Sequence, residues 1–345
     1  MHLFCRKVPL WGLLAALPVA FGLGAVLGKT FCSPPEQVAR VSSELREKTG
    51  RLTNPLLECE VFGDQGLKAL KPFKYKIDSL LREKIEAGVL IDGSVYFRDL
   101  NNGMWFGINE NIAYRPASML KVPVMLAYFK LAESDPGLLG RKIVFRGSFD
   151  LSRLQGVAPE TELVPGGIYT VDELIFRMIA YSDNNAAQLL VDNIDKSLLD
   201  RVLHDLDVNI NPGDYEHMIT VHSYAGFFRV LYNASYLSRE FSEKALDILS
   251  RSSFSEGMRA GIPPGVPTAT KFGEWGDSPD SAIVQLHEFG IVYFPDRPYL
   301  LGIMTRGKRG REMEALIGEI SRVVYQSVSE QHGTCLLYTS DAADE

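Results

Sequence analysis

Three short clusters in the sequence hold residue types that can make and break an acyl bond: Ser118-Met119-Leu120-Lys121, Ser182-Asp183-Asn184 and Lys271-Phe272-Gly273. In the first, a separation of three puts a hydroxyl and an amine on one helix face, a turn apart. A lysine in a water-poor site loses its proton more readily. It can then take the proton from the serine hydroxyl and leave an activated nucleophile. A helix start beneath Ser118 adds backbone N–H groups and positive potential for an oxyanion. Each cluster also has a plain reading. Serine is a favoured helix N-cap, and roughly one S-x-x-K arises by chance in a chain of this length. Ser182, Asp183 and Asn184 are capping types too, although a chance S-D-N is rarer, on the order of one in twenty such chains. Lys271 suits a sheet edge, where a cation discourages aggregation. It equally suits a cation facing the nucleophile, with Gly273 letting substrate approach the backbone.

The elements that must hold these clusters are legible from spacing. A helix is expected over Ser118–Glu133, with Pro123 awkwardly early in it. A second runs over Thr170–Tyr181: Thr170 and Glu173 form a capping box, and Val171, Leu174, Ile175, Met178 and Ile179 share one face. Ser182–Asn184 then sits on the turn before a helix over Ala186–Ile194, and Lys271 lies on a strand over Thr268–Glu274. Tyr75–Ala87 reads as a helix on Ile77, Leu80, Leu81 and Ile85. Val89–Arg98 and Met104–Ile108 read as strands around the hairpin turn Asn101-Asn102-Gly103. Strands return at Ala282–Phe294 and Tyr299–Thr305, and a closing helix covers Glu312–Val328. Strands at both ends and helices between them predict an α+β fold: one sheet built from distant segments, flanked by helices, with an all-helical insertion.

Composition narrows the class. The chain has 345 residues, 46% of them hydrophobic and 23% charged, and a net charge of -7. That balance is globular and carries no footprint of a nucleic-acid binder. The four cysteines, Cys5, Cys32, Cys59 and Cys335, contain no C-x-x-C, which argues against structural zinc. Arg6 and Lys7 precede an uncharged stretch, Val8–Gly28. As a helix it would span about 31 Å, enough for a bilayer core. With the positive flank first, the N-terminus (1–7) is expected to stay cytoplasmic and the remainder to lie outside the cell membrane. The rival is a cleaved signal peptide, for which Val26-Leu27-Gly28 is a poor cleavage site. Residues 29–72 read as a stalk with a short helix over Glu36–Lys48, and 73–330 as the globular domain that carries the three clusters. Cys335–Glu345 resembles the in-frame translation of a sequencing adapter and is set apart from the fold.

Taken together, the three clusters resemble the motif set S-x-x-K, S-D-N and K-T-G of class A β-lactamases and penicillin-binding proteins, in the same order. The segments Tyr169–Leu174 and Tyr181–Leu190 are similar to that family as well, and the resemblance covers about 73–328. It implies a β-lactamase/transpeptidase-like fold, with a mostly antiparallel sheet, a helical lobe and the site between them. It also implies Ser118 as nucleophile, Lys121 as proton acceptor and Ser182 as proton relay to the leaving nitrogen. Asn184 would hold a substrate amide, Lys271 would pair with the substrate carboxylate and keep Ser182 polarised, Gly273 would line the substrate site, and the backbone N–H groups of Ser118 and Glu274 would form the oxyanion hole. No metal or organic cofactor is required. The expected substrate is a small β-lactam or a cell-wall peptide, and the expected state a monomer.

Two departures from the family stand out. Phe272 replaces a Thr or Ser whose hydroxyl helps bind the substrate carboxylate. The E-x-x-L-N loop, whose Glu activates the deacylating water, is absent between Leu206 and Asn211. Glu216 is the nearest downstream carboxylate and reads as an exposed loop residue. The alternatives to a β-lactamase are therefore a D-alanyl-D-alanine carboxypeptidase or penicillin-binding protein, and a non-turnover sensor of β-lactams or cell-wall peptides. His287-Glu288 reads as a structural pair in a strand, and His204, His217 and His222 as surface residues.

Overall fold

A computed structural model describes residues 44–46, 50–59, 65–152, 161–206, 208, 218–276, 278 and 281–341. A short antiparallel pair, β1 (Glu44–Arg46) and β2 (Leu56–Cys59), precedes helix α1 (Gln65–Glu86). Strands β3 (Leu90–Asp99) and β4 (Trp105–Ile108) form the hairpin expected from Asn101–Gly103. The lobe that follows begins with β5 (Ala113–Tyr114), a 3₁₀ turn (Ala117–Leu120) and α2 (Lys121–Ala132). It continues through β6 (Lys142–Val144), β7 (Ile168–Thr170), α3 (Val171–Ala180), α4 (Asn184–Asp192) and α5 (Lys196–Asp205). It ends with β8 (Ile219–Thr220), α6 (Val221–Tyr232) and α7 (Arg239–Ser250). Strands β9 (Thr268–Trp275), β10 (Ile283–Val292) and β11 (Tyr299–Lys308) then complete the sheet, and α8 (Arg311–Asp341) closes the chain.

The main sheet has the order β4-β3-β11-β10-β9, with every described neighbour pair antiparallel. Its strands are buried on both faces, which is why they read as nearly unbroken apolar runs. Successive side chains alternate between two cores. Val95, Phe97, Leu301 and Ile303 pack under α1 and α8, against Phe73, Ile77, Leu316 and Ile320. Tyr96, Phe289, Ile291, Leu300 and Met304 face the helical lobe, against Val122, Met125, Tyr224 and Phe228. The fold is thus the expected α+β type, although the lobe is not all-helical: β5 pairs β8 and β6 pairs β7.

Three expectations need correction. The stalk does not run to residue 72. Leu52 is buried; its N–H, the Thr53 N–H and the Thr53 Oγ1 hydroxyl donate to the Glu243 carboxylate at 2.8–3.1 Å, and Tyr293 Oη donates to Leu52 O at 3.1 Å. One carboxylate thereby satisfies a polar segment that composition alone marks as linker. Helix α1 also starts ten residues before Tyr75, because Leu70 and Phe73 extend the stripe of Ile77 and Leu81 N-terminally, while Ile85 is left exposed. Within the expected helix Glu36–Lys48, the described residues Glu44–Arg46 are extended, held by pairing with β2. Helix α8 continues along the backbone past Val328 through Asp341. Among the described residues no helix is long and apolar enough to cross a membrane. The stretch Val8–Gly28, Cys5, Cys32, Glu216 and His217 lie outside the described residues.

Candidate active site

Ser118 does not open the α-helix. It lies in the 3₁₀ turn Ala117–Leu120, and the α-helix begins at Lys121. Pro123 then falls in the first turn, where a missing N–H is tolerated. Its absence leaves the Met119 carbonyl without an i+4 donor, and the buried Tyr224 Oη donates to that oxygen at 2.8 Å. The turn is gripped from the sheet side as well. On β10, Gln285 Oε1 accepts from Arg115 N, and His287 Nε2 donates to Arg115 O, each at 2.9 Å. His287 Nδ1 accepts from Thr305 N at 3.3 Å, which fixes the Nε2–H tautomer. Two residues on, Ala117 has φ +50, a conformation disfavoured for a residue with a Cβ. Clamped backbone on both sides of the strained residue holds Ser118 in place.

Gly273 allows strand β9 to press against this turn. A Cβ there would come within 3.1 Å of Pro116 O, Met119 N and Met119 Cγ. Its smallness therefore serves the contact between β9 and the Ser118 turn, a role distinct from the substrate approach expected of it. Glu274 follows on the strand, with its carboxylate ion-paired to Arg309.

The S-D-N turn brings the two lysines together. Thr170 caps α3 by accepting from Glu173 N, and Asp183 Oδ1 caps α4 by accepting from Ala186 N at 3.0 Å. Between them Ser182 adopts φ +56 and points its hydroxyl inward, 3% exposed. Lys121 Nζ donates to Ser182 O at 2.6 Å, to Asn184 Oδ1 at 2.6 Å and to Ser182 Oγ at 3.1 Å. Lys271 Nζ donates to the same Ser182 Oγ at 3.0 Å. Ser182 Oγ thus sits between two buried ammonium positions. Burial pulls the Lys121 pKa down to about 7, against the opposing pull of Asp183. Burial and the neighbouring Lys121 charge push Lys271 well below its ordinary value, with Glu288 acting the other way. A neutral Lys121 has two N–H groups for the two carbonyl oxygens at 2.6 Å, and a lone pair left to accept a proton.

The structure therefore gathers Lys121, Ser182, Asn184 and Lys271 into one hydrogen-bonded cluster, with Ser118 one turn before Lys121 and Gly273 against Met119. Tyr224, Gln285 and His287 support the cluster without any local motif to announce them. For Tyr224 a signal did exist: Pro123 orphans one carbonyl, and an orphaned buried carbonyl needs a donor. His204 and His222 are exposed.

Fold and cluster together define a β-lactamase-like serine hydrolase. The sequence matches the β-lactamase enzyme family over residues 73–328, and the chain belongs to that family. Among solved structures it is similar to PBP-A, with 23% identity, a TM-score of 0.62 and coverage of 76% of this chain and 97% of that one. A variant of PBP-A solved as an acyl-enzyme complex with penicillin G superposes equally well, at the same TM-score. The class A β-lactamase of the last common ancestor of Gram-negative bacteria gives 23% identity, a TM-score of 0.62 and coverage of 73% and 99%. At this identity the likeness is one of fold. No curated protein sequence matches the chain.

Proposed function

We propose that the protein is a membrane-tethered, extracytoplasmic acyl-transfer enzyme in which Ser118 attacks a cyclic amide of the β-lactam type. The supporting observation is Lys121 Nζ, enclosed by Ser182 O, Asn184 Oδ1 and Ser182 Oγ within 3.1 Å. In the acylation step the Ser118 Oγ–acyl carbon bond forms and the ring C–N bond breaks. The hydroxyl proton passes to Lys121 and reaches the leaving nitrogen through Ser182, which Lys271 polarises. The N–H groups of Ser118 and Glu274 receive the oxyanion, and Asn184 holds a substrate amide. Deacylation needs a second base, and the sequence lacks the loop that supplies one in class A enzymes. General-base catalysis contributes about 10²–10⁴-fold, so the acyl-enzyme should outlive that of an efficient lactamase by about this factor. Intact-protein mass spectrometry minutes after mixing with benzylpenicillin should show a one-to-one adduct. An unmodified protein beside rapid hydrolysis would refute the slow second step, and neither adduct nor hydrolysis with benzylpenicillin or with its methyl ester would refute the function.

A penicillin-binding or carboxypeptidase activity is the second reading. It is favoured by the equal structural likeness to PBP-A and to class A enzymes. The protein is further proposed to work as a monomer on small molecules, without nucleic acid. The apolar stretch Val8–Gly28 behind Arg6 and Lys7 supports anchoring. Protease added to intact spheroplasts is expected to degrade the domain, and full protection would rule the topology out.

A further inference from the structure

Lys271 is fully enclosed, with 0% exposure. Its Nζ donates to Ser182 Oγ at 3.0 Å and to Phe272 O at 2.8 Å, and stands 4.3 Å over the centre of the Phe272 ring. That is cation–π distance. Phe272 is itself buried and stacked on Phe254, with centroids 4.4 Å apart and planes 22° from parallel. The ammonium is therefore covered by the Phe272 ring, which Phe254 backs, and neither ring offers a hydrogen bond to a ligand. An anion could reach the remaining N–H of the ammonium only by displacing the Phe272 ring.

The end of the same strand carries negative charge. Glu274 is paired with Arg309, whose guanidinium also donates to Ser281 O at 3.0 Å. The Glu314 carboxyl on α8 is pushed upward by burial and by Glu256 and Glu274, with Arg311 offsetting part of this. Arg309 is thus already committed to a carboxylate of the protein itself.

Lys271 binds Ser182, and in the reading above Ser182 passes the proton to the leaving nitrogen. A substituent beside that nitrogen consequently lies at the Lys271–Phe272 corner. We infer that the site takes acyl donors carrying no carboxylate beside the leaving nitrogen, with Lys271 serving to hold Ser182 and the Phe272–Phe254 pair closing the place an anion would occupy. This rests on the serine acyl-transfer reading of the site.

The test is a matched pair, benzylpenicillin and its methyl ester, each mixed with the full-length protein and followed by intact-mass spectrometry over time. A site that grips the carboxylate through a charge-assisted hydrogen bond should lose about 10- to 100-fold in acylation rate on esterification. Here the ester is expected to acylate at least as fast as the acid. An acid rate more than ~3-fold above the ester rate, beyond a marginal difference in barrier, would overturn the inference and leave serine acylation standing; any lower ratio supports it. Failure of both compounds to form an adduct or be hydrolysed would overturn the acyl-transfer reading itself, and this inference with it.

Discussion

Replacing Lys121 with alanine is expected to slow acylation of Ser118 by about 10²–10⁴-fold, a barrier increase of roughly 3–5 kcal/mol. The side chain holds three oxygens at 2.6–3.1 Å, and its burial brings the amine's pKa to about 7. Only the neutral amine can accept the Ser118 proton, so labelling by a fluorescent penicillin should rise with pH through about 7 in the native protein. In Lys121→Ala that rise should vanish along with the rate, while circular dichroism shows a folded domain. Ser118→Ala should abolish labelling at every pH. A Lys121→Ala protein that labels at the native rate, with the same pH dependence, would remove Lys121 from the chemistry.

The second large effect concerns stability and arises from two adjacent residues of β10. His287 is fully buried, and burial lowers its pKa from 6.5 to about 4. The unfolded chain binds a proton there before the folded one does. Its stabilisation is therefore complete above about 6.5 and is lost as pH falls toward 4, a change of about 3 kcal/mol. Glu288 is also fully buried, and burial raises its carboxyl from 4.5 to about 7, despite the opposing Met258 N–H, Arg259 and Lys271. There the folded state holds the proton longer, so stability is complete below about 4.5 and is lost as pH rises toward 7, again by about 3 kcal/mol. The two slopes oppose each other across nearly the same window. Relative to the native protein, Glu288→Gln should therefore gain stability as pH rises from 4.5 to 7. His287→Gln should lose stability as pH rises from 4 to 6.5. For a domain of this size, about 3 kcal/mol corresponds to roughly 6–12 °C in Tm between the ends of each window. Thermal melts at four pH values check both, and difference profiles that stay level would disprove the compensation.

Much of this framework was readable where the physics is local. Thr170 with its downstream apolar face gave α3 nearly to the residue, and Asn101–Gly103 marked the β3–β4 hairpin. The three chemical clusters were visible as letters, and the structure gathers them around Ser182. What stayed hidden depends on distant partners. Tyr224 reaches Met119 across 105 residues, and Gln285 and His287 reach Arg115 across 170 and 172. No periodicity encodes such contacts. The exchange of a hydroxyl for Phe272 was plain in the sequence, but its consequence required Phe254, which stacks on it from outside the strand. Likewise, the segment around Leu52 looks like linker until Glu243 is seen to bind its N–H groups.

The order of strands in the sheet bears on how the chain comes off the ribosome. Strand β3 is made early, yet one of its two neighbours is β11, whose first residue, Tyr299, lies 200 positions after Asp99. At 5–20 residues per second, roughly 10–40 s separate the synthesis of these two strands. Throughout that interval the β3–β4 hairpin has an open edge, with Val95 and Phe97 on one side and Tyr96 on the other lacking the strand beside them. Such an edge invites pairing with other nascent chains. The helical lobe, by contrast, is complete some fifty residues earlier, although the turn that carries Ser118 waits for Gln285 and His287 of β10 to grip Arg115. Translation thus delivers Ser118 early and Lys271 more than 150 residues later, and the hydrogen-bonded cluster around Ser182 stays incomplete until β9 has been made.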